Sequence, residues 1–186
     1  MHRIFLGLAI TDGTLLLIAF SLGWAASGGA GPRVHTWHDL HFLLGLLATL
    51  ATLLVHSIVF TYFLGTGRWV KEVVRVYRLP GWLEAQAQKN KRKAFPFELV
   101  GMAFIGGATW LGAGTDTRQW PASWHLGVAA AALAFNLGAF AAEYVTIVAQ
   151  ARLLLEVKDQ ADRLRLAQLA AAEPAPDSPA PRLDPS

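Results

Sequence analysis

Four long apolar runs separated by polar stretches set the plan of this chain. They cover about 4–26, 38–64, 95–114 and 124–149, each near the roughly twenty residues that carry a helix across a bilayer. SGGAGPR and GTDTRQWPAS, between the first and last pairs of runs, have the composition of turns. The pattern predicts an all-α fold, an integral membrane up-down-up-down four-helix bundle. The first run has features of a secretory signal, with Arg3 before it and AASGGA after it. Its apolar core exceeds a signal's usual length of about 7–15 residues, and Asp12 interrupts it, so a retained helix is expected.

The polar stretches carry helical signals of their own. In WVKEVVRVYR, Trp69, Val70, Val73, Val74 and Tyr77 share one face, with Lys71, Arg75 and Arg78 largely on the other. That spacing predicts an amphipathic helix, either continuing the second span into water or lying on the headgroups. LPG stops it, and LEAQAQKNKRK reads as a second short helix ending in a basic cluster, which completes a loop over 68–93. The fourth run passes without a breaker into a helical extension, 150–172, with a weak heptad pattern at Leu154, Val157, Ala161 and Leu164. Residues 173–186 are rich in Pro and Ala and read as a disordered tail, leaving one membrane domain over 1–172.

Composition agrees with the pattern and adds an orientation. Only 16% of residues are charged and the mean hydropathy is +0.37, which suits a lipid-embedded chain better than a soluble one. A pI of ≈ 9.5 could suggest nucleic acid, but the basic residues flank the apolar runs, so the bilayer is the expected partner and nucleic acid is not. Fourteen of the sixteen Lys and Arg residues fall on one side of the predicted bundle, all but Arg33 and Arg118. The positive-inside rule then places both termini and the helical extensions in the cytoplasm, in a protein of the cell (inner) membrane. Trp24, Trp37, Trp120 and Trp124 would mark the outer interface.

Candidate chemistry lies in two stripes. On the second span His38, His41, Gly45, Ala48, Thr52 and His56 fall within an arc of roughly 80°, and on the fourth His125, Ala129, Ala132, Asn136 and Glu143 fall within roughly 60°. His38 to His56 and His125 to Glu143 are equal steps of five helical turns, about 27 Å. At the outer end, His41 or His38 could face His125 across the diagonal of a square bundle, whose axes would stand roughly 11–14 Å apart. That arrangement suits two imidazoles reaching one iron, with Gly45, Ala48, Ala129 and Ala132 leaving room for the ring. Without any Cys, thiolate ligation and covalent c-type attachment are excluded, whereas a b-type haem needs none. A bare transition-metal ion held by His38, His41 and His125 is a second expectation, since His38 and His41 stand one turn apart. His35 is expected to precede the helix.

At the inner end Asp12, His56, Asn136 and Glu143 form an intramembrane polar set, which Glu98 and Tyr62 could extend. Such groups in low dielectric are expected to share protons or hydrogen bonds, as a proton or quinone site or as a structural clasp. No Walker loop, dinucleotide fingerprint, zinc-protease helix or nucleophile elbow is present. The general plan resembles four-helix membrane cytochromes and the membrane anchors of respiratory dehydrogenases. The expectation is a membrane electron-transfer protein with one bis-histidine haem b, exchanging electrons with quinone or a partner subunit. If it is an enzyme, it is an oxidoreductase subunit. The alternatives are a cofactor-free structural subunit of a larger complex or homo-oligomer, and a metal-ion binder or transporter.

Overall fold

The computed structural model describes residues 1–26 and 35–172, with His35 by its backbone alone. The SGGAGPR turn and the tail after Ala172 lie outside the described residues. Four helices follow one another: α1 (His2–Ala26), α2 (His35–Tyr77), α3 (Trp82–Asp116) and α4 (Ala122–Ala172). Each is long and apolar enough to cross a membrane, as expected of a multi-pass membrane protein. They pack as an up-down bundle in which α1 touches α2 and α4, α3 touches the same two, and α1 and α3 do not meet. The section is a diamond with α2 and α4 across its short diagonal. Cα atoms of those two helices come within 8 Å of each other, and Ala48, Ala132 and Ala139 on them are small and buried.

The polar stretch over 68–93 is not a loop with a separate short helix. Its first half continues α2 to Tyr77 and its second half opens α3, leaving a tight turn at Arg78–Gly81. Arg78 takes a left-handed backbone (φ 53), and Leu79 N–H donates to Val74 O at 3.0 Å. This is the bond of a Schellman cap, and the buried Leu79 and Val74 supply its apolar contact. Arg118 (φ 59) ends α3 in the same way, with Gln119 N–H on Gly114 O. The helices stay continuous outside the apolar runs because they build a second core. Val70, Val74, Leu79, Leu83, Ala87, Leu153, Val157 and Ala161 pack into a three-helix stalk of α2, α3 and α4. Leu153 takes the buried place in this stalk, while Leu164 of the heptad pattern is exposed. Pro96 sits inside α3 without breaking it and is itself exposed.

Burial along the helices repeats. An offset of 84 residues carries the buried Ala48, Thr52, Val55, His56, Val59 and Phe63 of α2 onto the buried Ala132, Asn136, Ala139, Phe140, Glu143 and Ile147 of α4. An offset of 89 carries Phe5, Ala9, Asp12, Leu16 and Ala19 of α1 onto Ala94, Glu98, Gly101, Ile105 and Ala108 of α3, all buried. The membrane part is therefore two helical hairpins, α1–α2 and α3–α4, related by an approximate two-fold axis along the bundle.

Candidate functional site

The same repeat organises the histidine end. The 84-residue offset carries His41 onto His125, and the two rings meet across the diagonal with centroids 5.9 Å apart and planes at 61°. His41 Nδ1 donates to Ala19 O of α1 at 2.9 Å, and His125 Nδ1 donates to Ala108 O of α3 at 3.0 Å. One turn beyond each carbonyl stands a glycine. A Cβ at Gly23 would lie 2.7 Å from His41 Cε1, and one at Gly112 would lie 3.1 Å from His125 Cε1. The glycines thus give each ring its place.

These bonds decide the tautomers. A backbone carbonyl only accepts, so each Nδ1 carries the hydrogen and each neutral ring keeps its lone pair on Nε2. Metal-binding histidines are commonly held in this way, by a carbonyl or carboxylate on the second nitrogen. Ala48 and Ala132 are buried to 1% exposure each, and Gly45 and Ala129 are half-buried. His38 does not join the pair. Its Nε2 lies 3.0 Å from Asp116 Oδ1 in an exposed contact between the start of α2 and the end of α3. Among the described residues no three His, Cys, Asp or Glu side chains are grouped to hold a metal ion. Trp24, Trp37 and Trp124 are exposed at this end, whereas Trp120 stacks on Trp124 at 5.7 Å and fills the space that a side chain at Gly114 would need.

Deeper in the bundle the two-fold fails. His56 faces Phe140, and Glu143 has only Val59 as its counterpart. His56 is fully buried and both of its nitrogens are engaged. Asn136 donates from Nδ2 to Ala132 O, which turns its Oδ1 toward the ring to accept from His56 Nε2 at 2.7 Å. His56 Nδ1 and Glu143 Oε1 are also 2.7 Å apart, so one proton lies between them. Gly101 makes this possible, since a Cβ there would stand 2.6 Å from His56 Nε2 and 2.7 Å from Asn136 Oδ1. Asp12 is buried within electrostatic reach of His56 and Thr52. Glu98 is buried to 0% exposure and lies within electrostatic reach of Glu143 and His56.

A third polar layer lies toward the stalk. Gln86 donates to Asn90, Asn90 to Gln150, and Gln150 to Thr66, over 2.9, 3.0 and 3.1 Å. Asn90 and Gln150 are buried, and neither is singled out by the helical stripes. The available signal was a seven-residue step along α4 through Asn136, Glu143 and Gln150, which returns to one face every two turns.

No known protein family matches the chain, and neither curated proteins nor solved structures give a match.

Proposed function

We propose that this chain is a membrane electron-transfer protein that holds one b-type haem between His41 and His125. One observation carries the reading: two imidazoles at matching positions of α2 and α4 meet with centroids 5.9 Å apart, each locked through Nδ1 by a neighbouring helix, which leaves Nε2 as the nitrogen to bind a ligand. The rings stand with centroids 5.9 Å apart and planes at 61°, close enough for both to hold one group. A flat ligand with equivalent faces matches a two-fold pair of donors, whereas a tetrahedral ion wants four ligands and finds two.

His41 and His125 would hold the haem, with the half-buried Gly45 and Ala129 as small residues beside them and Ala48 and Ala132 buried one turn deeper. The bound haem would supply one-electron chemistry. The chain's own groups orient both imidazoles, through Ala19 O and Ala108 O on Nδ1 and through Gly23 and Gly112, which leave the rings their place. Fourteen of sixteen basic residues favour the opposite end as the cytoplasmic one, which sets the haem near the outer face. Electrons would come from quinone or a partner subunit.

The test is stoichiometry and spectrum. Full-length protein purified after haem-replete expression should carry one haem per chain, low-spin in both oxidation states. A preparation without a Soret band sinks the reading and leaves a structural subunit.

A further inference from the structure

Among the described residues of the inner half of the bundle, both carboxylate oxygens of Glu98, Oε2 of Glu143 and the Tyr62 hydroxyl are buried and make no hydrogen bond to another protein group. The buried Asp12 carboxyl has only the Thr52 hydroxyl beside it as a polar neighbour on α2 to bond with. Native proteins rarely leave such groups alone, and a cluster of them points to a small polar ligand. All four helices contribute: Asp12 from α1, Thr52, His56 and Tyr62 from α2, Glu98 from α3 and Glu143 from α4. Three of these groups are carboxyls and one is an imidazole, while no Lys or Arg is buried among the described residues. With every acid ionised the interior would hold an uncompensated negative charge, which low dielectric does not sustain.

We propose that this cluster is a proton-uptake site, loaded from the stalk end of the bundle and closed toward the histidine pair. The ligand chemistry is that of the proton. His56 Nε2 is committed to Asn136 and Nδ1 shares a single proton with Glu143 Oε1, so further protons go to Glu98, Glu143 Oε2 or Asp12. A hydronium ion gives its proton to the Glu98 carboxylate and leaves as water. A water molecule then accepts that proton from Glu98 and gives one of its own to Glu143, one O–H bond forming for each that breaks. The direction follows from the lining. Toward the stalk stand Tyr62, Gln150, Asn90 and the half-buried Gln86, with Gln150 about 10 Å from Glu143 by helical rise and the buried Phe63, Ala94 and Ile147 as the apolar groups between. Toward the histidines stand Leu16, Ala19, Ala48, Ile105, Ala108 and Ala132, all buried, with the paired Thr49 and Thr109 hydroxyls, 2.7 Å apart, as the polar exception. The positive-inside bias assigns the loaded side to the cytoplasm. The proposal stands without the haem, since no step uses it.

Infrared spectroscopy of the purified full-length protein, moved from H2O into D2O, tests it. A protonated-carboxyl band should be present, should lose intensity in Glu98→Gln, and should shift within seconds of mixing. Gln150→Leu and Asn90→Leu should keep the band and slow its shift about tenfold, the scale of losing one polar partner on the route. Either of the two variants suffices if the other does not fold. The proposal is overturned by a spectrum without the Glu98 band, by a band that keeps its hydrogen for hours, or by a shift that neither variant slows.

Discussion

The chain's two histidine sites within the bundle, one half-buried and one fully buried, sit about 22 Å apart on α2, and they are built on opposite logics. His41 obeys the two-fold, has His125 as its mate and spends one nitrogen on a backbone carbonyl. His56 breaks the two-fold, has Phe140 as its mate and spends both nitrogens on side chains. The first arrangement leaves a lone pair available across a symmetric gap. The second leaves a mobile proton and no free donor atom. A histidine's partners, more than its depth in the bilayer, decide what it can do.

The comparison can be broken most sharply at the ligands. His125→Ala and His41→Ala should each abolish the low-spin haem spectrum, while His38→Ala, whose ring lies against Asp116 and Asp39, should preserve it. His56→Leu should do the reverse. It should keep the haem spectrum but lower unfolding stability by about 3–5 kcal/mol, because Glu143 is left as a buried unpaired acid. A haem signal lost together with His56 would erase the distinction between the layers.

Smaller changes sharpen it. Asn136→Leu should cost about 1–3 kcal/mol by leaving His56 Nε2 unpaired, and the pair Asn136→Leu with Glu143→Leu should be non-additive in a double-mutant cycle. Gly112→Ala should cost about 1–3 kcal/mol through the crowded His125 ring and weaken haem retention, whereas Gly127→Ala, with open space around it, should do neither. Smallest of all, Arg78→Gly should raise unfolding stability by about 1 kcal/mol by relieving a left-handed backbone, with no effect on either histidine site.

Much of this plan was legible in the chain. Helical periodicity put His41, Ala48 and Thr52 on one face, and depth favoured His41 over His38 as the mate of His125. The continuity of α2 and α3 through 68–93 was less legible, because LPG and the charged faces look like a loop until Leu153 and Val157 supply a third helix to pack against. The contact of α2 with α4 rests on packing that sequence spacing does not measure. Glu98 was legible only as a residue that could extend the polar set, since the level at which a helix meets its neighbours depends on their register. The two-fold was hidden because paired positions such as Val59 and Glu143 share burial but not chemistry.

The most direct test of the central claim is electron paramagnetic resonance of the oxidised full-length protein, alone and with each ligand replaced. The account predicts a low-spin ferric signal from two imidazole ligands, converted to high-spin by His41→Ala and by His125→Ala and unchanged by His56→Ala. A low-spin signal that survives either His41→Ala or His125→Ala would contradict it.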